Sequence, residues 1–313
     1  FQYDIADLSQ NQSVIDGENP GLMDAYVQYK GVPYFDIMLG FGKTPYSRNS
    51  MVPFIYSPYW QRAQIVRGEV FSRRDVGLTL SQSYWKQRVN VYAGVYNGLG
   101  EVSLRGDNDA TGSAEFISRV DFAYPARYRY REIDDRHVPI PMFQVGANGR
   151  YTKRHLPEGG TFPPFASGEF GLNVFDGQRY VYGFDVAFMY KGFSGTFEIH
   201  QLHGRPRLDT HPLLQGLPVE QTQGYFLAGG WVSQLNYFIK SWKTIVSVRY
   251  EQLDLNDLIS GNSERFSCAV AYQLNGYNSM IKFQYFNIVK EDSNMDALRW
   301  TEQFRIGLQL LFK

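Results

Sequence analysis

The sequence predicts an all-β fold, a transmembrane antiparallel β-barrel of 14 to 16 strands forming one domain over residues 1–313. About 14 segments alternate apolar and polar residues with period two, as strands do when their two faces meet different solvents. Aromatic residues make up 16% of the chain, with 23 Tyr and 23 Phe, and they crowd the apolar faces. Two interfacial girdles account for such an excess. The connections alternate long and short, as barrels with long outer loops and short inner turns require. The last strand is the clearest. Phe304, Ile306, Leu308, Leu310 and Phe312 share one face, and Gln303, Arg305, Gly307 and Gln309 the other.

Composition removes the competing classes. Mean hydropathy is −0.35, and no apolar run reaches the roughly 18 residues of a membrane-spanning helix. A barrel strand escapes that test because half of it is polar. Formal net charge is +0, so bulk charge points to no nucleic acid and no polyanion. Cys268 is the single cysteine; it excludes a disulfide framework and a thiol-ligated structural metal. No cofactor is expected. Phe1 shows no signal peptide, so the chain is expected to start after a cleaved leader or later.

In order, strands are expected at Phe1–Leu8, Asp24–Lys30, Phe35–Gly42, Asp75–Gln82, Arg88–Asn97, Glu115–Ala123, Gln144–Tyr151 and Tyr180–Tyr190. They continue at Phe193–His200, Gly224–Val232, Thr244–Asp254, Arg265–Leu274, Met280–Ile288 and Thr301–Phe312. Gly31-Val32-Pro33 and Lys191-Gly192 are tight turns. Lys43–Ser72 holds Pro45, Pro53 and Pro58 and loses the alternation. Residues 124–141 break the long–short rule: they form a long connection on the side that should carry short, periplasmic turns.

Several stretches resemble the porin O and P family, the phosphate-selective porins. They are Asp24-Ala25-Tyr26-Val27-Gln28-Tyr29-Lys30-Gly31, Leu39-Gly40-Phe41-Gly42-Lys43-Thr44-Pro45-Tyr46, Arg73-Arg74-Asp75-Val76-Gly77 and Ala93-Gly94-Val95-Tyr96-Asn97-Gly98. Arg249-Tyr250 and Asp254-Leu255-Asn256-Asp257 continue the match in order. A terminal strand ending in Phe312 is also similar to the C-terminal signal of bacterial outer-membrane proteins. The resemblance implies a 16-stranded trimeric porin in a Gram-negative outer membrane, passing small anionic solutes such as phosphate by diffusion. Phe1–Leu8 would then be the third strand; either two strands lie upstream or the barrel closes with 14. The implied surroundings are the lipopolysaccharide bilayer and a homotrimer or other outer-membrane or periplasmic subunits. It also implies that residues 43–72 fold into the pore as its constriction.

That segment offers Lys43, Arg48, Tyr56, Tyr59, Trp60, Arg62, Arg67 and Glu69. Guanidinium groups on an inward loop match passing oxyanions bidentately; an ordinary exposed loop is the plainer alternative. Tyr56, Tyr59 and Trp60 would pin the loop to the wall. Alternation places Arg119, Arg150, Lys191, Arg249, Arg265, Lys282 and Arg305 on the lumen face, with Asp36, Asp75, Glu115, Asp121, Asp185, Glu198 and Glu251. This balance predicts cross-strand pairing and weak anion selectivity. Arg127, Tyr128, Arg129, Tyr130 and Arg131 could read a nucleic acid or an acidic partner; a strand extension at headgroup level is the preferred reading. His200, His203 and His211 are too weak a cluster for a metal, and no Gly-x-Ser-x-Gly elbow supports an enzyme. A subunit scaffold inside a larger outer-membrane assembly, motivated by residues 124–141, is the rival to a channel.

Overall fold

The computed structural model describes residues 2–4, 21–68, 70–100, 111–163, 171–259, 261–290 and 302–311. The remainder of the expected strand Phe1–Leu8, together with Glu69, Thr301 and Phe312, lies outside them. Fourteen strands follow the expected order: β1 (Gln2–Asp4), β2 (Gly21–Tyr29), β3 (Asp36–Lys43), β4 (Arg74–Tyr84), β5 (Val89–Tyr96), β6 (Glu115–Tyr124) and β7 (Met142–Arg154). Then come β8 (Gly177–Tyr190), β9 (Phe193–Pro206), β10 (Phe226–Ile239), β11 (Thr244–Asp254), β12 (Ser263–Gln273), β13 (Ser279–Lys290) and β14 (Glu302–Leu310). They form one antiparallel meander, each strand paired with its sequence neighbour. Among the described residues no pairing joins β14 to β1.

Burial is inverted relative to a water-soluble sheet. In β6, Glu115, Arg119 and Asp121 are buried while Phe116, Val120 and Phe122 are exposed. Buried charge and exposed apolar surface on alternate residues suit a strand with lipid outside and a polar interior. The same phase holds Phe184 in β8, Val246 and Val248 in β11, and Ile306 and Leu308 in β14 on the outer face. Cys268 sits in that outer set with Phe266, Val270 and Tyr272.

Aromatic side chains border this apolar band at both ends. Tyr151 meets Tyr180 at 4.8 Å, and Tyr285 meets Phe304 at 4.8 Å, near the ends carrying long loops. Tyr84, Trp85, Tyr124 and Trp242 mark the turn end, where Phe193 stacks on Tyr237 at 4.3 Å. Tyr180 and Tyr190 on β8 mark the two borders; at ~3.3 Å rise and ~45° tilt the band between them is roughly 24 Å tall, the height such barrels show.

Turn chemistry fixes the register. Lys191 (φ 47°) and Gly192 (φ 90°) both occupy the left-handed region, which makes the two-residue β8–β9 hairpin. Lys191 therefore sits at the membrane edge, exposed and over the Tyr190 ring, rather than on the lumen wall as the alternation predicts. The interior is filled from the loop end by a cluster that joins Tyr46, Val66 and Phe71 to Phe175, Leu213, Phe226 and Leu255.

Candidate functional site

The chain turns inward at the end of β3. Pro45 cannot donate to the ladder, and Ser47 caps the one-turn helix Arg48–Met51, its hydroxyl accepting from the Ser50 N–H at 3.1 Å. Ser47 holds φ 62°, a costly backbone for a residue with a Cβ. Glu198 of β9 stabilises it: the carboxylate accepts from the Ser47 hydroxyl, from Asn49 N–H at 2.8 Å and from Asn49 Nδ2 at 3.0 Å.

From there the segment crosses the lumen and touches several walls. Trp60 N–H donates to Gln284 Oε1 of β13 at 2.7 Å, and its indole to Lys282 O at 3.2 Å. Gln309 Nε2 of β14 donates to Ile55 O at 3.2 Å, while Lys43 Nζ of β3 donates to Val52 O at 3.4 Å. Strands far apart in the sheet order, β3 and β13–β14, thus meet the same segment. Gln64 N–H donates to Glu251 of β11. Tyr59 is fully buried; its hydroxyl accepts from Ser247 Oγ at 2.8 Å and its ring lies 4.1 Å from the Arg249 guanidinium. Tyr59 and Trp60 thus contact the wall at β11 and β13, while Tyr56 meets Tyr277, between β12 and β13, at 4.9 Å.

The middle of residues 124–141 also enters the lumen. Tyr128, Glu132, Ile133 and Asp134 are buried, so the reading of this segment as a strand extension at headgroup level is overturned. Ile133 joins Phe238, Ile245 and Met280 in an apolar cluster. Glu132 accepts from Gln234 Nε2 at 3.0 Å, and its carbonyl from Asn236 Nδ2 at 3.0 Å. Asp134 accepts from Val138 N–H at 3.0 Å and from Gly192 N–H at 2.8 Å. Apolar burial and carboxylate anchoring on β10 outweigh exposure at the lipid headgroups.

The two inward segments meet at Arg48. Its guanidinium donates to Gln144 Oε1 of β7 and, at 3.1 Å, to Arg131 O. It lies 4.8 Å from the Tyr128 ring and 5.5 Å from the Tyr130 ring. Arg131 in turn stacks over Tyr56 at 4.9 Å and pairs with Asp135 at 3.1 Å. The charge of Arg48 is held by an amide, a carbonyl and two π faces.

The wall cations are largely neutralised. Arg119 pairs with Asp121 and Asp185 at 2.7 Å each; the intervening Gly146 leaves the room, since a Cβ there would collide with all three side chains. Arg150 pairs with Glu115 at 2.5 Å. Glu251 takes both Arg249, at 3.0 Å, and Arg265. Arg305 on β14 donates to Gln303 at 2.9 Å. Lys282 is buried beside the rings of Trp60 and Phe54 at 5.0 and 5.7 Å. Arg62 is turned into its own loop, toward Asn49 O and Val52 O. Arg67 is half-buried and caps the short helix Gln64–Val66.

The histidines do not converge. His200 lies inside, bonded to Glu198 and, at 3.0 Å, to the Tyr46 hydroxyl. His203 sits on the opposite face of β9, edge-on to Tyr225 at 4.5 Å. Both lie within β9, which runs past its expected end at His200 to Pro206. Among the described residues no group of His, Cys, Asp and Glu has metal-site geometry. Open space remains at the turn end, a cavity of about 660 Å³ between the β2–β5 wall and residues 127–131.

No protein-family model matches this chain, and no curated protein does. Solved structures do. A loop-L8 deletion mutant of OmpT, an outer-membrane protein of Vibrio cholerae, superposes with a TM-score of 0.52 at 12% identity, over 90% of this chain and 77% of that one. A porin refined at 1.8 Å gives 0.51 at 12% identity, over 90% and 79%. OmpT expressed in the outer membrane gives 0.50 at 11%, over 88% and 77%. The chain has the fold of outer-membrane β-barrels. Its exposed apolar band and paired girdles are what that location demands.

Proposed function

We propose that this chain is a porin of a Gram-negative outer membrane, a passive and weakly anion-preferring channel for small solutes with no chemistry of its own. One observation carries the reading. The segment that bridges the lumen brings Lys43, Arg48, Arg62 and Arg67 against a single carboxylate, Glu69. Arg119, Arg150, Arg249 and Arg265 on the wall are each paired with a carboxylate, so this segment is the main source of positive field in the lumen. Charges in a narrow, water-poor passage act at lower effective dielectric than charges on an open wall. Phosphate is the anion named by the resemblance; the paired walls favour only modest discrimination between phosphate and chloride.

A second reading has its own support. The Arg48 contacts tie two inward segments together in mid-lumen, which suits a closed barrel serving as a subunit of a larger assembly. Liposome swelling separates the two. Vesicles carrying the refolded protein should swell in isosmotic potassium acetate and far less in a bulky oligosaccharide. Vesicles that stay as tight as protein-free controls favour the scaffold.

A further inference from the structure

The turn-end cavity has two unlike walls. One side carries a neutral polar ladder from the strands, Gln28, Ser81, Ser83 and Asn90. The facing side carries Arg127 and Arg129, with Lys30 at the rim; all three are exposed. Among the described residues no ion pair involves Lys30, Arg127 or Arg129, whereas Arg131 beside them is bound to Asp135. Tyr92 of the strand wall and Tyr130 of the inward segment also line the cavity. Asp36 is the one carboxylate in the lining.

We propose that this vestibule is a binding site for a sugar acid, a ligand with one carboxylate and several hydroxyls. The carboxylate is matched by the guanidinium groups of Arg127 and Arg129, which offer paired N–H donors in a plane. The hydroxyls are matched by amides and serine hydroxyls that both donate and accept. The tyrosines supply apolar ring faces with polar tips. A bare inorganic anion would engage the arginines and leave the ladder opposite them unused. At about 660 Å³ the cavity is of small-molecule size rather than ion size. This names a solute class for the proposed channel and rests on that reading only for its physiological use; binding itself is a separate property.

The test is isothermal titration of the detergent-purified protein with galacturonate, and with galactose, acetate and inorganic phosphate as comparisons. Galacturonate should bind, and each comparison should bind at least about tenfold more weakly, because each lacks one of the two matched features. Arg129→Ala and Asn90→Ala should each weaken galacturonate binding by roughly tenfold or less while leaving the heat-modifiable gel shift of the folded barrel unchanged. No heat with galacturonate, acetate or phosphate binding equally well, or both folded variants binding as wild type, would overturn the site. A protein that conducts without binding refutes this site alone; one that binds without conducting refutes the channel reading alone.

Discussion

The guanidinium of Arg48 lies 4.8 Å from the ring of Tyr128 and joins a segment entering from the loop end to one entering from the turn end. Each residue is buried, and Arg131 over Tyr56 at 4.9 Å makes a second cation–π contact between the same two segments. If this contact narrows the passage, Arg48→Ala should raise single-channel conductance severalfold. It should also cost about 1–3 kcal/mol of stability, since the bonds to Gln144 and Arg131 O are charge-assisted. Planar-bilayer recordings beside urea unfolding in vesicles measure both, and unchanged conductance in a folded variant rejects Arg48 as the narrowing element.

Glu251 holds Arg249, Arg265 and the Gln64 N–H together. Glu251→Gln leaves two buried guanidinium groups without their carboxylate, a loss of the order of 3–5 kcal/mol. The urea midpoint in vesicles should fall accordingly. A drop below about 1 kcal/mol would mean that water reaches these arginines.

His211 lies in the loop between β9 and β10, and its Nδ1 accepts from the Leu213 N–H at 3.2 Å. Burial pushes its imidazole below the ordinary value of 6.5, partly offset by Asp176. A base with a depressed folded pKa stabilises the folded loop fully above its unfolded pKa and loses that contribution as pH falls through the window below it. Relative to the intrinsic exchange rate, which itself slows on acidification, amide exchange in residues 207–225 should therefore be slowest at neutral pH and accelerate as pH drops under about 6.5. The same acceleration in His211→Ala would assign it to another group.

Leu308 faces outward in mid-band. Leu308→Arg should cost roughly 2–4 kcal/mol, as charge does at the bilayer midplane. Reversible folding into vesicles checks it; a near-zero cost would place this face away from lipid.

Much of the fold was readable because a barrel strand writes its two solvents into alternate residues. Thirteen of the expected strands sit where that pattern lies, β10 running on past its expected end at Val232 to Ile239, while of Phe1–Leu8 only Gln2–Asp4 is described. Charge pairing across the wall was readable for the same reason, since Arg119 and Asp185 share the inward phase. The Arg48–Tyr128 contact was not, because it joins residues far apart in sequence and lies outside any alternating pattern. The alternating Arg and Tyr of residues 127–131 resembled interfacial anchors. Ile133 between Glu132 and Asp134 was the available hint, an apolar residue flanked by carboxylates with somewhere to bond. Lys191 lies at the membrane edge and not on the lumen wall that alternation assigns it, because the alternation ends at a left-handed hairpin.

The channel itself is tested most directly by single-channel recording of the wild-type protein in a planar bilayer under a potassium chloride gradient. The account predicts discrete ohmic steps whose reversal potential lies modestly on the anion side. It also predicts that Arg67→Ala moves that potential toward cations more than Arg249→Ala does, because Arg249 is already neutralised by Glu251. A protein that folds into the bilayer yet gives no steps, or gives steps that are cation-selective from the outset, would contradict it.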